Sequence, residues 1–110
     1  MSESGGVWSR AEVDRLRRAS GENYQEFVVV PAMSAGTYHL KAGEEDLQTP
    51  HAEDEIYHVL SGRGRIVIEA EDRAVGPGDT IFVAAHADHR FHTISEDLTL
   101  LVVFAPRHSG

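Results

Sequence analysis

From about Tyr24 onward, the chain is a succession of short runs rich in β-branched and aromatic residues, separated by glycine, proline and acidic turn signals. Such runs predict strands, and many of them at close spacing are typical of an all-β sandwich or barrel. The predicted strands are 27–30, 37–41, 55–60, 65–69, 74–75, 80–83, 89–94 and 98–104, and the predicted turns are 61–64, 71–72 and 76–79. We therefore expect an antiparallel β-barrel.

The N-terminal part follows a different pattern. Residues 1–6 are small and polar, and we expect them to form a disordered leader. Ser9 and Glu12 form a capping-box pattern, which predicts a short helix within residues 7–22. The expected organisation is therefore the leader, the helical segment and one barrel over 23–106, because 110 residues suffice for one domain and one core.

Composition excludes several functions. The formal net charge is −8, from 18 acidic and 10 basic residues, which disfavours binding to nucleic acid or to an anionic membrane. The chain has no cysteine, so thiolate metal sites and cysteine nucleophiles are excluded. The N-terminus lacks an apolar signal segment, and no apolar run reaches the length of a membrane span. We expect a cytoplasmic protein.

Three residues suggest a metal site. His51 and Glu55 are four residues apart, and His89 follows later in the chain. Two imidazoles and one carboxylate form the donor set of a facial triad, which leaves coordination positions open for substrate or oxygen. Strand alternation predicts which neighbours share the inner face: Glu55, Tyr57 and Val59 from one strand, and His89, Phe91 and Thr93 from another.

The spacing around these residues resembles the two motifs of the cupin superfamily, specifically its small single-domain members. In the segment 43–62, the first motif places its two histidine slots at Thr49 and His51, its glutamate at Glu55 and its glycines at the two ends. In the segment 78–93, the second motif places its histidine at His89. Because Thr49 occupies the first histidine slot, the set is one ligand short, and water, Gln48 or another side chain could fill the fourth position.

The resemblance implies a double-stranded β-helix or jelly-roll barrel, a homodimer and a divalent metal ion, with Fe²⁺, Mn²⁺, Ni²⁺ and Zn²⁺ all suited to the donor set. It further implies a metal-dependent enzyme acting on a small organic molecule, with non-haem dioxygenase chemistry favoured. A Lewis-acid isomerase, cyclase or decarboxylase remains open, as does a non-catalytic cupin that senses or carries a small ligand. The alternative to a metal site is a metal-free cupin in which the three residues line a polar pocket. Tyr57 and His86 are the candidate catalytic residues, the first shaping the pocket and the second acting as an acid or base at its edge.

Overall fold

The computed structural model describes residues 4–47 and 49–109. Residues 1–3 of the expected leader and Gln48 lie outside these ranges. The described elements are one helix, α1 (Arg10–Ser20), and six strands: β1 (Tyr24–Val30), β2 (Met33–Leu40), β3 (Asp54–Ile68), β4 (Glu71–Val75), β5 (Thr80–Val83) and β6 (His89–Ala105). The expected all-β jelly-roll architecture with a short N-terminal helix is confirmed.

Helix α1 begins as its sequence pattern predicts. The Ser9 side chain caps it by accepting a hydrogen bond from the Glu12 backbone N–H at 3.1 Å, which satisfies a donor that has no partner within the helix. Val13 is the buried residue of the helix, so α1 rests on the barrel through a narrow apolar contact. The Trp8 ring, just before the cap, packs against the ring of Phe27 on β1 at a centroid distance of 5.3 Å.

The strands pair antiparallel in the order β1-β2-β6-β3-β4, and β5 pairs with β3. The long strands β3 and β6 form the central ladder, in which Glu55 lies opposite Phe104 at one end and Ile68 lies opposite His89 at the other. The first half of β3 pairs with β5, and the second half of β3 pairs with β4. Each long strand therefore contributes to both layers of the barrel.

This central ladder is rolled up on itself. If it were straight, Glu55 and His89 would lie about 40 Å apart, at about 3.3 Å per residue. Instead, Glu55 Oε1 and His89 Nε2 are 3.3 Å apart, so the two ends of the ladder meet. Side chains on the inner face fill the space enclosed, and Tyr57 and Phe91 are completely buried.

The predicted turn over 61–64 is wrong, because the chain continues there as part of β3. The ladder bends at this point through register shifts between Val59 and Arg65. Gly62 has a φ of 93°, and a Cβ at this position would collide with the backbone of Asp97 on β6. Glycine is therefore needed at position 62 because it permits a β-bulge and the close approach of the two backbones. Likewise, the predicted strands 89–94 and 98–104 are one strand, β6.

Two further predictions also need correction. The turn expected at 71–72 lies at residues 69–70, and Glu71 already pairs with Ile68. Thr93 was expected on the inner face but is exposed, and Ile94 is buried instead. Thr93 has a φ of 48°, which interrupts the alternation of β6 and reverses the faces beyond it.

Candidate metal centre and pocket

The three residues of the predicted donor set come together at the seam where the ladder ends meet. Glu55 is the second residue of β3, His89 is the first of β6, and His51 lies in the loop just before β3. One potential ligand atom from each lies within 4.8 Å of the other two. The His51 and His89 rings are 5.5 Å apart and inclined at 52°.

The atoms of Glu55 and His89 that face each other are buried without a hydrogen bond. Glu55 Oε1 and His89 Nε2 are 3.3 Å apart, but their geometry is not that of a hydrogen bond, and neither has such a partner among the described residues. His89 Nδ1 donates to the carbonyl of Ala87 at 2.9 Å, which leaves Nε2 as the ring nitrogen that faces the carboxylate. Two buried polar atoms that face each other in this way need a proton or a metal ion between them, and a hydrogen bond from Nδ1 to a backbone carbonyl is typical of a metal-binding histidine.

The pKa shifts of the two imidazoles follow from the same arrangement. Burial lowers the pKa of His51, and the nearby His108 and His89 lower it further, against an opposing effect of Glu55. His51 is therefore neutral and able to bind a metal. Burial also disfavours the charged form of His89, but Glu55 and the Ala87 carbonyl outweigh it and raise the pKa of that ring. A proton or a metal ion would relieve the pair, and a metal ion would displace the proton.

A pocket of about 170 Å³ opens beside these residues. Apolar groups and tyrosine rings form most of its walls. Its lining residues are Tyr24, Tyr38, His51, Glu55, Tyr57, Val102, Phe104 and His108. A small, mostly apolar cavity with a few polar groups is the usual form of a small-molecule site.

The buried carboxylate of Asp46 fixes the pocket wall to β6. Asp46 lies in the loop between β2 and β3 and accepts hydrogen bonds from the Tyr38 hydroxyl and from the Phe91 backbone N–H, both at 2.8 Å. Burial, then the charge and hydrogen bond of Asp46, raise the pKa of Tyr38, so its hydroxyl remains a neutral donor. This anchor holds β6 two residues beyond His89.

Sequence reasoning missed Glu53 and His108. The tail turns back after β6, and His108 Nδ1 lies 2.9 Å from Glu53 Oε1 while Ser109 Oγ donates to Glu53 Oε2 at 2.9 Å. The His108 ring stacks on Phe104 at 4.4 Å and meets the His51 ring edge-on at 5.1 Å. Burial alone would raise the pKa of Glu53, but the hydrogen bonds from His108 and Ser109 lower it. His51, Glu53 and His108 form a second group with metal-ligand spacing.

The remaining predicted residues lie in different surroundings. Tyr57 is completely buried, and its ring packs edge-on against Phe91 at 4.9 Å and lies 6.1 Å from His89. His86 has an exposed side chain in the loop before β6, and its backbone N–H donates to the His51 carbonyl at 2.6 Å, which holds the His51 segment in place. Thr49 is exposed and belongs to neither group with metal-ligand spacing, and Gln48 lies outside the described residues.

The family model for the cupin domain matches residues 36–104, and the chain belongs to this family. An uncharacterised protein of Streptomyces coelicolor is 45% identical over 98 residues, covering 89% of this chain and 93% of that protein. Acireductone dioxygenase 1 of Physcomitrium patens is 33% identical over 91 residues, covering 78% of this chain. The match covers only 46% of that dioxygenase.

Solved structures show the same fold. KdgF from Halomonas sp. superposes with a TM-score of 0.71 at 23% identity, covering 78% of this chain and 79% of the other. None of the helices in the described residues is both long enough and apolar enough to span a membrane.

Proposed function

We propose that this cupin binds a divalent metal ion through His51, Glu55 and His89 and is an enzyme that acts on a small organic molecule. The observation that carries the proposal is the buried, unbridged gap between Glu55 Oε1 and His89 Nε2. Leaving both atoms without a partner destabilises the folded protein. A cation between the two atoms would remove this cost. Fe²⁺, Mn²⁺, Ni²⁺ and Zn²⁺ all accept two imidazoles and one carboxylate.

The neighbouring groups support catalysis on a bound molecule. A divalent ion would supply Lewis acidity, and iron would add redox chemistry. The chain itself supplies a small pocket, with Val102 and Phe104 as apolar walls and the tyrosine rings of Tyr24, Tyr38 and Tyr57 around the rest. In this proposal Tyr57 shapes the pocket.

Oxygen-dependent chemistry is the favoured reaction class. Two histidines and one carboxylate with open positions are the donor set of non-haem iron oxygenases. The 33% identity to an acireductone dioxygenase over 78% of this chain supports the same class. The substrate of that relative is not transferred to this protein, since the match covers 46% of it.

Metal analysis tests the metal site first. The protein purified without chelator is analysed for bound metal, then stripped and titrated anaerobically with each of the four ions. We expect binding of one ion per chain, and loss of binding in His89→Ala. Wild-type protein that binds none of the four ions would refute the metal site.

Oxygen consumption then tests the reaction class. Iron-loaded protein is screened against small oxygenated compounds in an oxygen electrode. Uptake that requires both iron and a compound supports the dioxygenase assignment. Turnover without oxygen would assign the protein to the Lewis-acid isomerases, cyclases or decarboxylases, and tight binding without turnover would make it a ligand-binding cupin.

A further inference from the structure

The Tyr24 hydroxyl is a buried polar group without an assigned role. Tyr24 is the first residue of β1 and lines the pocket together with His51 and Glu55. Its oxygen is buried and has no hydrogen-bond partner among the residues of 4–47 and 49–109. A buried hydroxyl without a partner costs free energy, so its retention needs an explanation.

The Tyr24 ring has little freedom to turn the hydroxyl elsewhere. It lies against Gly36 of β2, where a Cβ would approach its ring atoms to 2.6–2.8 Å. It meets the Phe104 ring edge-on at 6.1 Å and the His108 ring edge-on at 6.3 Å. Packing against these three residues restricts the rotation of the Tyr24 ring, which lines the pocket.

Tyr38, which lines the same pocket, shows how a tyrosine hydroxyl is satisfied there. Tyr38 donates to Asp46 at 2.8 Å, so its hydroxyl is committed to the wall of the pocket. The hydroxyl of Tyr24 has no such anchor among the described residues. The carboxylate of Glu26, on the same strand, is close enough to raise the pKa of Tyr24 but makes no well-formed hydrogen bond to it. Glu26 Oε2 is itself without a hydrogen-bond partner among the described residues.

Charge keeps the Tyr24 hydroxyl a donor close to the metal-binding candidates. Burial raises the pKa of Tyr24 far above neutral, and the carboxylates of Glu26 and Glu55 raise it further. The group is therefore protonated at neutral pH. Tyr24 lines the same pocket as Glu55, the carboxylate that faces His89.

The size of the pocket limits what the hydroxyl can meet. Its volume is about 170 Å³. A cavity of about 150 Å³ holds benzene, so the ligand has roughly six to eight non-hydrogen atoms. A ligand of this size cannot reach the metal candidates without also lying near the pocket walls.

We propose that Tyr24 is a specificity-determining residue whose hydroxyl donates a hydrogen bond to an oxygen atom of a compact ligand, while other oxygens of that ligand bind the metal. The ligand class is a small carboxylate, oxo acid or hydroxamate. This inference rests on the proposed metal site. It explains both why the hydroxyl is retained and why it has no hydrogen-bond partner within residues 4–47 and 49–109.

The test compares wild-type protein with Tyr24→Phe and with the control Tyr38→Phe. Both variants lose one hydroxyl from the same pocket, but only that of Tyr38 has a protein partner. Unfolding by urea is measured on the metal-free proteins, and acetohydroxamate is titrated calorimetrically into the Ni²⁺-loaded proteins. Ni²⁺ affinity is measured separately for each.

We expect Tyr24→Phe to be at least as stable as wild type, to bind Ni²⁺ equally well and to bind acetohydroxamate about tenfold more weakly, equivalent to about 1.4 kcal/mol. Tyr38→Phe should instead lose stability. If Tyr24→Phe is destabilised and binds the probe as well as wild type does, the hydroxyl is a structural partner of Glu26 and the inference is wrong. Failure of the Ni²⁺-loaded wild type to bind acetohydroxamate also refutes it, whereas failure to bind Ni²⁺ refutes the metal site itself.

Discussion

Glu55→Gln should make the metal-free protein more stable and the metal-loaded protein less stable than wild type. In wild type, Glu55 Oε1 and the His89 Nε2 lone pair face each other at 3.3 Å without a hydrogen bond. Glutamine at this position has nearly the same shape, and its amide N–H can donate to that lone pair. The substitution therefore satisfies both buried atoms and removes a buried charge.

The magnitude follows from these two changes. An unsatisfied buried polar group costs about 1–3 kcal/mol, and a typical hydrogen bond contributes about 1 kcal/mol net. We expect the metal-free variant to gain about 1–2 kcal/mol. Metal at a hundred times its Kd stabilises wild type by about 2.7 kcal/mol. Because the amide is a weaker ligand than the carboxylate, the variant gains less from metal and the order of stabilities reverses.

Urea unfolding measures the stability of wild type and of Glu55→Gln, each with excess metal and with chelator. A pH of about 8.5 is chosen because the pKa of His89 is raised, and the prediction concerns the neutral ring. Asp46→Asn is the matched control. Both carboxylates are buried, but Asp46 already accepts hydrogen bonds from Tyr38 and from Phe91. Asp46→Asn should lose stability with or without metal.

Two results would refute the reasoning. If metal-free Glu55→Gln is less stable than wild type, the Glu55–His89 pair is a satisfied ion pair rather than a gap awaiting a cation. If metal stabilises both proteins equally, Glu55 is not a ligand.

Three further predictions follow from the site and its surroundings. His51→Ala should abolish the metal-induced rise in Tm, whereas His86→Ala should keep it because that side chain is exposed; equal effects would contradict the assignment of ligands. Burial, and then the charge of Arg17, lower the pKa of His39, so neutral His39 contributes stability that is present above about pH 6.5 and lost as the pH falls below it. His39→Gln should therefore lose less stability than wild type between pH 7 and pH 5 in urea unfolding, and a parallel loss would contradict this. Light scattering should give twice the 12.1 kDa chain mass. Val29 is 47% exposed, and Val29→Asp should reduce the measured mass if this residue lies in the dimer contact. A monomer mass for wild type would exclude the dimer.

The inner and outer faces could be predicted from the sequence wherever alternation stays local. Glu55, Tyr57 and Val59 are all buried, as the period of two requires. The bend at Gly62 could not be predicted, since a glycine in a turn and a glycine in a bulge look alike in sequence. Only the approach of the Asp97 backbone, contributed by a distant strand, distinguishes them.

Some residues of the candidate site could likewise be predicted from the sequence, and others could not. His51, Glu55 and His89 could be proposed because motif spacing and strand alternation both single them out, and the structure brings them together. The pairing of Glu53 with His108 could not, because it joins residues 55 positions apart and depends on the path of the tail after β6. For Tyr24, the informative feature is an unsatisfied atom, which no sequence pattern records.

If Glu55 and His89 hold a metal ion as proposed, the rolled ladder couples the curvature of the barrel to its affinity for that ion. Glu55 and His89 lie at opposite ends of the same pair of strands, so an ion held between them closes a ring whose circumference is the ladder itself. The bend at Gly62 sets how well the ends meet, although it lies at the middle of that ring. Metal affinity is therefore a property of the whole ring, and a change in the bend would alter it without touching any ligand. By the reciprocity of linked equilibria, an ion bound there would in turn favour the geometry of that distant bend that binds it best.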